Sequence, residues 1–264
     1  MKDFQFHRPT SVKDAVGLLR GREGAKFLAG GQSLLPVLKL ELAEHSDLVS
    51  LAHLKDLRDV RVDGGHLILG ALVTHDEVHR YAEVNKVIPA LARLAGGIGD
   101  AQVRNRGTLG GSVAHADPAA DYPAALVGLG ATVITDRRSI PADDFFTGLF
   151  TTALEHGELI TSVSFPIPKR AAYAKFAHRA SKYALVGVFI AETAGGVRVA
   201  VTGAANHVFR VPAYEAALGK KLAPASLDGI AVPATNLNSD AEASAEYRAH
   251  LIGVMARRAI QALA

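Results

Sequence analysis

Two glycine-rich segments concentrate the residue types that can cradle an anion. The first, Ala29-Gly30-Gly31-Gln32-Ser33-Leu34-Leu35-Pro36, follows the alternating run Ala25 to Leu28, which reads as a short strand. Adjacent glycines let the backbone turn sharply and let a phosphate approach bare N–H groups, and Gln32 and Ser33 add side-chain donors. The second, Arg104-Asn105-Arg106-Gly107-Thr108-Leu109-Gly110-Gly111-Ser112, sets a glycine pair among hydroxyls and two cations. It continues to His115, Asp117 and Asp121. Taken singly, each segment is equally consistent with an ordinary tight turn or a polar surface loop. Arg104 and Arg106 can offset phosphate charge or pair with Asp117 or Asp121.

Other chemistries are excluded residue by residue. No G-x-x-x-x-G-K-[ST] occurs, and the nearest approach to G-x-G-x-x-G, at Gly97-Ile98-Gly99, has Gln102 where the third glycine belongs. Gly31-Gln32-Ser33 lacks the closing glycine of a nucleophile elbow. With no cysteine, the chain has no disulfide, thiolate zinc site, cysteine nucleophile or cysteine-ligated iron–sulfur cluster. His75 and His79 stand four apart on an expected helix, but aspartate follows the first and no third ligand is evident. They read as polar, solvated positions, and no metal site is expected.

The elements around these segments are mixed. Ser11 with Asp14 caps a first helix, and Thr74 with Glu77 caps another running to about Val84. Leu34 to Leu42 reads as a short helix or irregular segment interrupted by Pro36. Val60–Val62 and His66–Gly70 flank Asp63-Gly64-Gly65, a hairpin. Ile98 to Asp121 shows little regular pattern. Pro166-Ile167-Pro168-Lys169-Arg170 is a candidate boundary, beyond which strands from Tyr183 to Glu192 and Val197 to Gly203 precede a long helix over 240–264. Helices and hairpins without strict alternation predict an α+β fold.

Composition sets the outer limits. The 264 residues are 49% hydrophobic, enough for a sizeable core, and 29 basic against 26 acidic side chains give a net charge of +3 without a basic block. That argues against disorder and against nucleic-acid binding. No apolar run approaches the roughly eighteen residues of a membrane span. Met1-Lys2-Asp3-Phe4 carries an acid where a secretory leader is basic, so a cytoplasmic location is expected.

Together, and in this order, the two glycine segments resemble the paired FAD signatures of the flavoprotein (medium) subunit of molybdenum hydroxylases, the carbon monoxide dehydrogenase and xanthine dehydrogenase family. The resemblance continues through His115-Ala116-Asp117-Pro118-Ala119-Ala120-Asp121, Phe145-Phe146-Thr147-Gly148-Leu149-Phe150, Glu158-Leu159-Ile160 and Tyr183-Ala184-Leu185-Val186-Gly187-Val188. It covers essentially the whole chain.

The resemblance implies a two-part FAD-binding domain of the vanillyl-alcohol-oxidase (PCMH) type over 1–168, with subdomains of about 1–52 and 53–168, and a smaller α+β domain over 169–264. It implies that Ala29, Gly30, Gly31, Gln32 and Ser33 hold the FAD pyrophosphate through backbone N–H groups, with Leu34 also at the cofactor. Thr108, Leu109, Gly110, Gly111 and Ser112 form a second cradle, and Asp121 is an acidic ligand. Ile98 and Ile160 supply apolar contacts, and Tyr183 lies by the isoalloxazine. No catalytic residue is implied, because the flavin carries the redox chemistry. Leu185 departs from the xanthine dehydrogenase branch, which has a flavin-contacting lysine there, so flavin potential and acceptor do not carry over.

The implied function is electron transfer, from [2Fe–2S] clusters on a small partner, fed by a large molybdopterin subunit, through FAD to an external acceptor. The implied assembly is a heterotrimer or its dimer. Two alternatives stay open: a stand-alone FAD-dependent oxidase or dehydrogenase of the same superfamily, and a non-catalytic scaffold whose glycine loops are only turns.

Overall fold

The computed structural model describes residues 2–263. Its N-terminal part is a parallel sheet with helical crossovers. β1 (Gln5–His7) leads to α1 (Val12–Arg20), which Ser11 starts by accepting the Asp14 amide, and then to β2 (Ala25–Leu28). α2 (Leu34–Lys39) contains Pro36 in its first turn, where a missing N–H costs no intrahelical bond. β3 (Asp47–Ser50) closes the sheet in the centre, in the order β1-β3-β2. Ala15, Val16 and Leu19 on one face of α1 pack with Val49, Leu51 and Leu57 into a first core cluster.

The middle part holds a five-stranded antiparallel sheet. β4 (Val60–Asp63) and β5 (His66–Gly70) form the expected hairpin over Gly64 and Gly65, both at positive φ. A run of short helices follows: α3 (His75–Arg80), α4 (Ala82–Val87), α5 (Pro89–Gly96), α6 (Ala101–Arg104), α7 (Leu109–His115) and α8 (Tyr122–Leu129). β6 (Thr132–Thr135), β7 (Ser139–Pro141), α9 (Ala142–Phe145), β8 (Phe146–Gly148), β9 (Thr151–Thr152) and β10 (Ile160–Pro166) complete it. β10 enters between β5 and β6, pairing Val163 with both Leu69 and Val133. Its buried Val163 and Phe165 join α5, α7 and α8 in the largest core cluster.

The C-terminal part is an antiparallel sheet of β11 (Arg170–Ala177), β12 (Ala184–Thr193), β13 (Gly196–Thr202) and β14 (Phe209–Arg210), with α10 (Pro212–Lys220) and α11 (Ala245–Gln261). Val186, Val188 and Ile190 of β12 face Leu251, Met255 and Ala259 of α11 in one cluster, while Phe189 and Ala191 of the same strand join the middle cluster. Strand alternation thus divides β12 between two cores. The fold is α+β.

Several elements differ from the sequence reading. The helix begun at Thr74, which has the full capping box with Glu77, stops at Arg80. Tyr81 turns extended, and Asn85 Nδ2 satisfies the carbonyls of His79 and Tyr81 at the break. The stretch 98–121 contains two helices, α6 capped by Asp100 and α7 capped by Thr108. The last helix begins at Ala245 rather than near 240, because Ser244 accepts the Tyr247 amide there.

Candidate functional site: a cavity between two glycine loops

The first glycine loop leaves the carboxyl end of β2, the place where open sheets with helical crossovers leave room for a ligand. The second begins at Thr108, whose side chain accepts the Gly111 amide and starts α7. The loops touch: a Cβ on Gly30 would stand 2.0 Å from the Arg106 carbonyl oxygen, and one on Gly111 would stand 3.6 Å from the Ala29 Cβ. Gly31 has φ +74°, the left-handed region that glycine occupies without strain. No side chain fits at Gly30 without parting the loops.

Between and around them lies a cavity of about 830 Å³, within the range of small-molecule and cofactor sites. Ala29, Gly30, Gly31, Gln32, Ser33, Leu34, Ile98, Thr108, Gly110, Gly111, Ser112, Asp121, Ile160 and Tyr183 all line it. Leu109 does not. It is fully buried in the middle core cluster, where it anchors α7.

The two loops offer different donors. Among the described residues, the amides of Gly30, Gly31, Gln32, Ser33 and Leu34 donate to no protein acceptor, and neither do the side chains of Gln32 and Ser33. From Leu109 to Ser112 the second loop's amides are already used: Leu109 donates to the Val73 carbonyl, Gly110 to the Ala71 carbonyl, Gly111 to Thr108 Oγ1 and Ser112 to the Thr108 carbonyl. Close packing demands this, since a Cβ on Gly110 would stand 2.5 Å from the Ala71 Cβ. The first loop is therefore the open set of donors, and the second is a braced wall.

Asp121 forms the back of the site and is held from the C-terminal sheet. Tyr173 donates to its Oδ1 at 2.6 Å and Lys175 to its Oδ2 at 2.9 Å, with Lys175 also reaching the Gly97 carbonyl. Burial pushes the Asp121 carboxyl up, and the Lys175 ammonium pulls against that rise. The preceding segment is held by the same sheet: Thr202 Oγ1 donates to the carbonyls of Pro118 and Ala120, and Gly203 donates to Pro118. Tyr183 follows Lys182, at φ +64°, and is half-exposed at the cavity.

Arg104 and Arg106 pair with neither Asp117 nor Asp121. Arg104 donates to the carbonyls of Ile98 and Gly99 and so shapes the wall that Ile98 presents. His75 is not a solvated position. It lines the cavity at 5% exposure, its ring lies 5.4 Å from that of Tyr122, and its Nδ1 has no partner. Burial, reinforced by Arg104, lowers its pKa to about 4, so it is neutral near pH 7. Periodicity alone misses this, because the second loop covers His75 only through the Thr74–Thr108 bridge. His79 is exposed as expected. No group of three or more potential metal ligands occurs among the described residues.

The residues fit a dinucleotide: free amides and hydroxyls suit a pyrophosphate, and Leu159, Ile160, Ile98 and Tyr183 add apolar and aromatic surface to the same cavity. The family described as "FAD binding domain in molybdopterin dehydrogenase" matches residues 2–168. That described as "CO dehydrogenase flavoprotein C-terminal domain" matches residues 171–263. The chain belongs to this family of FAD-binding medium subunits. It is 38% identical to the nicotine 6-hydroxylase medium subunit of Paenarthrobacter nicotinovorans, covering 97% of this chain and 95% of that subunit. It is 34% identical to the carbon monoxide dehydrogenase medium chain of Hydrogenophaga pseudoflava, over 98% of this chain and 96% of that one.

Solved structures agree. A carbon monoxide dehydrogenase from H. pseudoflava lacking the Mo-pyranopterin moiety superposes with a TM-score of 0.89 at 34% identity, covering 99% of this chain and 97% of that chain. Quinoline 2-oxidoreductase from Pseudomonas putida 86 gives 0.89 at 31%, over 99% and 98%. The medium subunit is thus an oxidoreductase component whose family domain binds FAD, and no helix among its described residues is long and apolar enough to cross a membrane.

Proposed function

We propose that this medium subunit holds FAD between its glycine loops and relays electrons from [2Fe–2S] clusters on a small partner subunit to an external acceptor. The observation that carries the reading is the row of unpaired amides from Gly30 to Leu34, facing a cavity large enough for the dinucleotide. These amides, with Gln32 and Ser33, bind the pyrophosphate. Thr108 to Ser112, Leu109 from beneath, keep the opposite wall rigid. Asp121 has lone pairs to spare beside Tyr173 and Lys175 and accepts a cofactor donor. Ile98, Ile160 and Tyr183 exclude water from the apolar rings. When bound, the flavin supplies the redox chemistry, and the chain supplies orientation and electrostatics.

The division into 1–52, 53–168 and 169–264 belongs to the same proposal, supported by the three core clusters. So do the large molybdopterin subunit, the heterotrimer or its dimer, and a cytoplasmic location. The test is rapid-mixing spectroscopy of the assembled complex, with and without FAD in this subunit. Substrate should reduce the clusters in both, while the external acceptor is reduced only when FAD is present. Acceptor reduction at the same rate without FAD would overturn the relay.

A further inference from the structure

A second cavity, of about 370 Å³, lies against the first glycine loop, and Ala29 and Gly30 line both cavities. Its lining is apolar at Phe6 and Leu35 and cationic at Arg8 and Arg106, with His53 beside them. No carboxylate lines it. Most arginines of the chain are spent in ion pairs, as Arg138 is on Glu158 and Arg210 on Glu215. The side chains of Arg8 and Arg106 form no ion pair or hydrogen bond among the described residues, and both are exposed. Arg8 instead stands over the Phe6 ring, 5.4 Å from its centre, and this contact leaves its N–H groups free.

We propose that this pocket is an anion site separate from the cofactor cavity, taking a carboxylate or phosphate carried on a flat apolar body. Two unpaired guanidinium groups present forked donors that match such oxygens in pairs. Phe6 and Leu35 receive the apolar body, and the volume suits one ring and its substituent. The positive charges of Arg8 and Arg106, with no acid in the lining to offset them, raise the local potential that attracts the ligand. The same pairing of carboxylate with apolar surface comes from two sources: a free small anion on a flat ring, or an acidic side chain of a partner subunit that arrives next to an apolar one.

The test is calorimetric titration of the full chain with phenyl phosphate and with benzoate, in the FAD-free and FAD-loaded forms. One site is expected in both forms, weakening as salt is raised. Arg8→Gln and Arg106→Gln should each lower phenyl phosphate affinity about tenfold, whereas Arg93→Gln, an exposed arginine on α5, should leave it unchanged. Both tested side chains are exposed, so the variants should unfold at the wild-type temperature. Absence of binding at millimolar probe, full binding by the double variant, or displacement of the probe by FAD would each overturn the proposal. Because the FAD-free arm is read alone, its failure is distinct from failure of the FAD reading. A second titration uses the assembled complex. Exclusion of the probe there identifies the natural anion as the partner's side chain, and retained binding identifies a free anion.

Discussion

Gly30 is the residue on which the site closes. Its Cα faces the Arg106 carbonyl so closely that even a methyl group would stand 2.0 Å away. Backbone cannot move aside as a flexible side chain can, so Gly30→Ala should part the loops and misdirect the free amides. FAD affinity should fall at least tenfold, about 1.4 kcal/mol, with far-UV circular dichroism unchanged. An affinity equal to wild type would contradict the contact.

Glu158 gives a second residue-scale prediction. The Arg138 guanidinium, helped by the Glu155 amide and the Thr135 hydroxyl, holds its carboxyl down to about 2 against the effect of burial. A carboxyl lowered in the folded state stabilises above its unfolded value of 4.5 and loses that contribution as pH falls toward 2. Arg138 is 43% exposed, which screens the pair, so the contribution is on the order of 2 kcal/mol. Glu158→Gln should lose that much at pH 7 and flatten the acid limb of the stability curve, measured by urea unfolding from pH 7 to pH 3. An unchanged acid limb would show that other carboxylates govern it.

Among the elements, β11 carries the polar link between the middle and C-terminal parts at Asp121, beside the apolar contact that β12 makes. It was not visible as a strand, because Ala171, Ala172 and Ala174 dilute its alternation. Yet it carries both Tyr173 and Lys175 to Asp121. Lys175→Met removes the cation from a carboxylate that is 4% exposed and should destabilise the fold by about 3–5 kcal/mol. Adding Asp121→Asn should recover part of the loss, since no unpaired buried charge then remains. Chemical denaturation of the two variants measures this, and equal stability of single and double variants would argue against the ion pair as the link.

Other elements were legible for local reasons. The caps at Ser11 and Thr74 and the Gly64-Gly65 hairpin are encoded within a few residues of where they act. The helices α6 and α7 were not, because their stripes are short and glycine-rich. What holds α7 is the pair of hydrogen bonds that the Leu109 and Gly110 amides donate to the carbonyls of Val73 and Ala71, more than thirty positions earlier. The same distance hid the burial of His75.

At the scale of the whole molecule, the large cavity draws on all three parts of the chain. The N-terminal sheet supplies the free amides, the middle part the braced wall, and the C-terminal sheet the grip on Asp121 and the loop carrying Tyr183. The glycine segments stood out because adjacent glycines among hydroxyls and cations are a local pattern of residue types. Their union in one cavity was not, since it depends on contacts such as Gly30 with Arg106. On the proposed division, with molybdopterin on the large subunit and the clusters on the small one, the purified subunit alone should not hydroxylate substrate. Turnover by the subunit free of any partner would refute that division of labour.

The most direct measurement is the visible absorption spectrum of the purified full chain before and after adding FAD, with the released nucleotide identified after denaturation. Flavin bands at one FAD per chain are expected, lost or weakened in Gly30→Ala. A folded chain with no flavin bands and no binding of added FAD would contradict the FAD reading, leaving the two glycine loops as turns.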